Sequence, residues 1–128
     1  MLKSPKQKGS RLEREVAERI RSSGLDKTAS RMPLSGAMEC LKSDIFTKLP
    51  ISVECKNQES WKPLEYLNQA KSGAKQNEIP VVIMSKNRLP EPIVMLELKD
   101  FIWILQLAKE SGGLTQQYGY TKRKQTGK

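Results

Sequence analysis

The chain has no histidine and only two cysteines, two tryptophans, three tyrosines and two phenylalanines among its 128 residues. Each scarcity removes a class of chemistry. Without imidazole there is no Ser-His-Asp triad, no Cys-His dyad and no histidine general base. Zinc sites that use histidine are excluded, and two cysteines cannot close a four-sulfur site. Cys40 and Cys55 are also too few for a disulfide framework, so free thiols and a cytoplasmic setting are expected. So few aromatic residues make no stacking platform for single-stranded RNA. No apolar stretch approaches the roughly 20 residues that span a bilayer. The opening MLKSPKQKGS lacks the apolar run of a secretory signal. Any catalysis must rest on carboxylates and lysine, with or without a hard metal ion.

What the chain has in excess is positive charge. Its 23 Lys and Arg outnumber its 14 Asp and Glu, a net +9 that points to a polyanion, with nucleic acid the leading candidate. The length suits one domain and a modest core that needs no disulfide or metal staple. Residues 1–8 read as a flexible basic extension, 9–111 as the folded domain, and 112–128 as a flexible tail. That tail carries four basic side chains and no acidic one; it can follow a phosphate backbone or simply solubilise the chain.

Between these ends the pattern predicts a helix over SRLEREVAERIRSSG, with Ser10 as N-cap and Gly24 as stop. A short strand is expected within 26–34. Two more, over 43–49 and 51–56, are joined tightly at Pro50. A second helix runs through KPLEYLNQAKSGAKQN, with Pro63 at its start and Leu64, Leu67 and Ala74 as its apolar stripe. IPVVIMS and EPIVMLEL read as inner strands buried on both faces. Residues 99–110 form a last helix whose Phe101, Trp103 and Ile104 serve a core or a dimer face. The order implies an α/β fold, a mixed central sheet of about five strands flanked by helices.

The charged residues converge on one place. In the first helix Leu12, Val16, Ala17 and Ile20 make an apolar stripe, and Glu13 projects within it. A carboxylate there either meets an arginine at the stripe's edge or is aimed into a site on the sheet. In ISVECK the alternation puts Ile51, Val53 and Cys55 on one face and Ser52, Glu54 and Lys56 on the other. Pairing around Pro50 brings Asp44 close to Glu54. Two carboxylates beside an ammonium suit a hard divalent cation and its bound water. Cys55, facing away, reads as a buried structural thiol. Trp61 either packs under the sheet or touches DNA.

The constellation Asp44-x(9)-Glu54-x-Lys56 resembles the catalytic motif of the PD-(D/E)xK nuclease superfamily, with Ser43 where a proline often stands. Lys8-Gly9-Ser10-Arg11-Leu12-Glu13-Arg14-Glu15 resembles the KGxxxERE opening of archaeal-type Holliday junction resolvases, in which the first glutamate of ERE is catalytic; that position is Glu13 here. Arg31 and Ser35-Gly36 are similar to that family's segment before the catalytic aspartate, although the spacing from Arg31 to Asp44 is longer. Gln69 resembles a glutamine that many superfamily members place near the site, or is an ordinary exposed helix residue. The resemblance covers roughly residues 8–105 and implies a restriction-endonuclease-like fold.

It also implies a function. Glu13, Asp44, Glu54 and Lys56 would be catalytic. Glu13, Asp44, Glu54 and the backbone carbonyl of Cys55 would hold Mg²⁺, for which Mn²⁺ can substitute. Lys56 would orient the attacking water and offset charge building on the phosphate. Lys8, Arg11, Arg14, Arg31, Ser35, Gln69, Lys71 and Lys75 are the candidate DNA contacts. The expected substrate is branched double-stranded DNA, nicked in pairs at a four-way junction by a homodimer during recombination and repair. The expected location is cytoplasmic or nucleoid-associated, or the host cytoplasm for a viral protein. Two other readings use the same residues: a PD-(D/E)xK nuclease of repair or restriction type acting on other DNA, and a non-catalytic basic nucleic-acid-binding module.

Overall fold

The computed structural model describes residues 5–32 and 43–114. The order is α1 (Pro5–Ser23), β1 (Ser30–Arg31), β2 (Ile45–Phe46), β3 (Ile51–Asn57), α2 (Pro63–Gly73), β4 (Ile79–Ser85), β5 (Ile93–Met95) and α3 (Leu98–Glu110). The α/β class and the succession of elements match the sequence reading. Ser35 and Cys40 lie outside the described residues, as does most of the basic tail.

Helix α1 begins earlier than its expected Ser10 cap. Pro5, whose fixed φ suits a first helical turn, opens it. Residues 5–8 are therefore helix rather than a flexible extension, and Ser10 lies inside. Gly24 ends the helix at φ +83°, a left-handed conformation that glycine adopts without penalty. Leu12, Val16 and Ala17 are buried and Ile20 partly so, which is the stripe their spacing predicts.

The strands form two small sheets instead of one of five. β3, β4 and β5 lie in that order, with β3 parallel and β5 antiparallel to β4. β1 and β2 form a separate antiparallel pair. The strand expected over 43–49 shortens to two residues because a buried carboxylate captures Thr47 and Lys48. Asp26 accepts from the Lys48 N–H and the Thr47 hydroxyl, both at 2.7 Å. Its other oxygen holds the Thr28 hydroxyl at 2.6 Å and the Thr28 N–H at 2.9 Å. These bonds, with Thr28 first, keep its carboxyl well below the usual range. Asp26 thus ties the loop after α1 to the turn after β2, which orients the segment carrying Asp44.

Parallel β3 and β4 require a crossover, and α2 supplies it. One core joins Leu12, Val16 and Ala17 of α1 to Ile45, Val53 and Cys55. The other joins Tyr66 and Ala70 of α2 to Val82 and Met84 of β4. Ile45, Val53 and Val82, at 1%, 1% and 0% exposure, contribute most completely, roughly 1.5–3 kcal/mol each. The buried face of α2 is therefore Tyr66 and Ala70, with Leu67 packed partly buried beside them as expected. Leu64 is 74% exposed and the helix stops at Gly73, which removes Leu64 and Ala74 from the expected stripe. β4 is an inner strand as read, whereas β5 is a three-residue edge with Ile93 and Val94 exposed. Both hydrophobic cores lie in residues 1–96, and this α/β arrangement is compatible with a restriction-endonuclease-like fold.

After Leu96 the chain enters a second unit, which contains α3. Asp100 in its first turn and Lys109 in its last match the helix dipole. No residue of α3 is buried. No helix among the described residues is long and apolar enough to cross a membrane.

Candidate active site

The position of Asp44 is set by how β2 meets β3. The Asp44 N–H donates to the Val53 carbonyl at 2.7 Å. Ser43 Oγ accepts from the Val53 N–H at 2.9 Å and donates to the Ile45 carbonyl at 3.0 Å. Where a proline often stands, a hydroxyl here staples the two strands, a role legible only once the pairing is known. The odd residues of β3 turn their peptide groups toward this edge. The neighbouring even positions turn theirs toward β4, as the bonds from Ile79 N–H to the Pro50 carbonyl and from Gln58 N–H to the Ser85 carbonyl show.

The Cys55 N–H donates to Asp44 Oδ2 at 2.7 Å, which fixes the carboxylate against the strand edge. In an extended strand a residue's N–H and C=O share an edge, so the Cys55 carbonyl projects on the Asp44 side. The Cys55 thiol is buried in the α1 core. Burial pushes its pKa up, with Asp44, Glu13 and Glu54 adding to the shift. That fits a structural cysteine.

Glu54 and Lys56 share the opposite face, as their alternation predicts. Lys56 Nζ lies 3.4 Å from Glu54 Oε2, and their side chains are 21% and 17% exposed. The same ammonium sits 5.3 Å from the centroid of the Tyr66 ring. The Tyr66 hydroxyl donates to Gln58 Oε1 at 2.6 Å, which holds the ring in place. Sequence reasoning does not single out Tyr66. The signal available for it is an aromatic residue on α2 whose hydroxyl needs a partner when buried.

Glu13 reaches the site from α1 in company. Arg31 Nε donates to Glu13 Oε1 at 3.0 Å, and Arg31 NH2 donates to Ser10 Oγ at 3.2 Å. Glu13 pairs with an arginine, as one of its two expectations has it, and its charge adds to the rise of Asp44 and Glu54. Burial is the main cause that raises Asp44 to about 7; Glu54 and Glu13 push the same way, while the Cys55 N–H and Lys56 oppose. Burial likewise raises Glu54, with Lys56 opposing and Glu13 adding.

This donor set fits a hard divalent cation. It consists of carboxylate oxygens and one backbone carbonyl, with no imidazole and no exposed thiolate. Gathered carboxylates resist ionising together, and a cation between them removes the resistance. Among the described residues no three acidic or thiol side chains already stand close enough to enclose an ion. Arg31 engages Glu13.

The candidate DNA contacts divide. Arg11 and Arg14 are exposed on α1, and Gln69 and Lys71 are exposed on α2. Lys75 is exposed but lies past the end of α2, which stops at Gly73, so Lys71 and Lys75 do not share a helix face. Lys8 pairs with Glu59 at 3.3 Å and is only 13% exposed, so it braces α1. The Asn57 amide assists there by donating to the Lys8 carbonyl at 3.1 Å. Trp61 packs beside α2, with its indole N–H on the Gln58 and Ser85 carbonyls at 2.8 and 3.1 Å.

Residues 4–127 match the phage putative PDDEXK endonuclease family. No curated protein and no solved structure matches the chain. The match covers nearly the whole chain and places it in the PD-(D/E)xK nuclease superfamily, to which Asp44, Glu54 and Lys56 had pointed. The chain therefore belongs to the phage putative PDDEXK endonuclease family.

Proposed function

We propose that this protein is a metal-dependent DNA endonuclease that introduces paired nicks in branched DNA. The observation that carries the reading is the convergence of Asp44, Glu54 and Lys56 at the β2–β3 edge, with Asp44 raised to about 7 by burial and by its neighbouring carboxylates. Asp44, Glu54 and the Cys55 carbonyl, joined by Glu13, would hold Mg²⁺ or Mn²⁺. When bound, the ion supplies Lewis-acid polarisation of a phosphodiester oxygen and a water made acidic near neutral pH.

The chain's own residues do the rest. Lys56, seated between Glu54 and the Tyr66 ring, offsets the negative charge that builds on the phosphate in the transition state. Asp44 is oriented by the Cys55 N–H before substrate arrives. Were Glu13 to serve as a metal ligand, Arg31, which now bonds Glu13 and Ser10, would be free to take a phosphate oxygen, a geometry that a guanidinium fork suits. Arg11 and Arg14 add phosphate contacts along α1.

The preference for branched DNA rests on the KGSRLERE segment and on Glu13, which that segment delivers to the site. Recognition of a branch reads shape and phosphate position more than base identity. The test offers an end-labelled four-way junction and the matching linear duplex, each with Mg²⁺, Mn²⁺ or EDTA. Metal-dependent paired nicks on the junction alone are expected. Equal cleavage of both substrates would remove the branch preference and leave a repair- or restriction-type nuclease. Binding without cleavage under every metal would leave only a basic binding module.

A further inference from the structure

Two lysine ammonium groups stand over aromatic rings at one end of the β3–β4 pair. Lys56 Nζ lies 5.3 Å from the centroid of the Tyr66 ring, and Lys86 Nζ lies 5.3 Å from that of the Trp61 ring. A ring face attracts a cation without accepting all of its N–H donors, so each ammonium is placed and still able to donate. Lys56 also meets Glu54. Lys86 acts on the Glu59 carboxyl through its charge, while that carboxyl is bonded to the Asn87 N–H at 2.7 Å and to Lys8 at 3.3 Å.

Gln58 joins the two rings. Its Oε1 accepts from the Tyr66 hydroxyl at 2.6 Å, and its backbone carbonyl accepts from the Trp61 indole N–H at 2.8 Å. Its own N–H donates to the Ser85 carbonyl at 3.1 Å, which carries the β3–β4 pairing one step past the register partners Asn57 and Ser85. Gln58 and Lys86 are the next residues on those neighbouring strands, about 4.8 Å apart. Lys56 and Gln58 stand two positions apart on β3 and its continuation, about 6.6 Å along one face. Trp61 and Tyr66 pack in the core on the α2 side of the sheet, so the three side chains that they hold share that side.

An amide whose oxygen is fixed presents its nitrogen on the other branch. Gln58 Nε2 carries two N–H donors and has no acceptor among the described residues. Lys56 Nζ, Gln58 Nε2 and Lys86 Nζ therefore make a row of donors. It begins at the cleavage centre and runs out over the carboxyl ends of parallel β3 and β4, where α/β sheets present their ligand-binding loops. Two positive charges with a neutral donor between them, at short intervals, suit a chain of phosphates. Such contacts position a strand without reading its bases.

Resting on the nuclease reading above, we propose that this row holds the phosphates that flank the scissile one on the cleaved DNA strand. Gln58 takes the phosphate next to it and Lys86 the one beyond. Tyr66 and Trp61 are then positioning residues for the row.

The experiment measures binding of the full chain to an end-labelled four-way junction in EDTA. The phosphates around the branch are replaced one at a time by neutral methylphosphonates. The wild type should lose about threefold to tenfold in affinity at two neighbouring positions, the range of one net hydrogen bond each. Gln58→Glu keeps an oxygen for the Tyr66 hydroxyl and exchanges both donors for a charge of the wrong sign. Lys86→Glu reverses the second charge. Each variant should bind the unmodified junction more weakly by about tenfold or more. At one of the two positions each should bind the methylphosphonate junction better than the unmodified one, because the repulsion is gone there. A merely structural role would lower affinity alike whichever phosphate is neutral. Methylphosphonates that cost the variants as much as the wild type at every position would overturn the proposal, as would variants that bind the unmodified junction like the wild type. Cleavage of the unmodified junction in Mg²⁺ is read separately and locates the scissile phosphate. Binding with the sign reversal and no cleavage would overturn the nuclease reading and with it the scissile assignment. Cleavage without the reversal would overturn the row of donors alone.

Discussion

Replacing Asp44 by Asn should inactivate the enzyme and stabilise the metal-free protein. In the folded state the Asp44 carboxyl titrates at about 7, against an ordinary 3.8. Between those values the folded chain binds a proton that the unfolded chain does not, so stability falls as pH rises through this window. A gap of about three units corresponds to a ceiling of roughly 4 kcal/mol above pH 7, and solvent relaxation around a partly exposed group brings the expectation to about 2–4 kcal/mol. Asn keeps an oxygen for the Cys55 N–H and carries no charge. In EDTA at pH 8 the variant should melt higher by on the order of 10 °C. Near pH 4 the two proteins should melt together. Saturating Mg²⁺ should raise the wild-type Tm and leave the variant's unchanged, because ligand binding stabilises only a folded state that holds the ion. Thermal melts at a series of pH values in EDTA and in Mg²⁺ measure all of this. A variant that melts at or below the wild type at pH 8 would refute the claim that burial, with the neighbouring carboxylates, strains the metal-free site.

The same structure predicts three further outcomes. Tyr66→Leu removes the ring face beside Lys56 and should lower kcat about tenfold with little change in KM, while Tyr66→Phe keeps the ring and should stay closer to wild type in steady-state cleavage assays. Asp26→Asn should destabilise the β1–β2 pair and weaken cleavage by loosening Asp44. Because the Asp26 carboxyl is held below its ordinary value, its contribution is present above about 3.8 and is lost only as pH falls further, which acid titration followed by circular dichroism would track. Leu12→Ala, deep in the α1 core, should cost about 2–5 kcal/mol in chemical denaturation.

Much of the site was legible because strand alternation and helix periodicity are local. The spacing in ISVECK separated Cys55 from Glu54 and Lys56 without any knowledge of neighbours, and the α1 stripe singled out Glu13. The partners were not legible, since each comes from a distant segment. Tyr66 meets Lys56 across the crossover, Arg31 meets Glu13 from the far side of the first turn, and Asp26 reaches Lys48 over 22 positions. The short β2 shows the same limit. Its residues suit a strand, and a side chain from elsewhere takes the N–H that would have extended the ladder. β5 is an edge despite its apolar run, because periodicity reports side-chain character and not which strands stand alongside. The end of α2 was misplaced for a related reason: Gly73, where the helix stops, lies in a polar stretch with little periodic signal.

The central claim is that Asp44, Glu54 and Lys56 form a metal-dependent cleavage centre. Its most direct measurement compares the wild type with Glu54→Gln and Lys56→Ala on one labelled junction, reading binding and cleavage in the same samples with Mg²⁺ and with EDTA. The account predicts cleavage by the wild type only in Mg²⁺, none by either variant, and binding by all three that weakens steeply with salt. Cleavage by either variant at the wild-type rate, or by the wild type in EDTA, would contradict it.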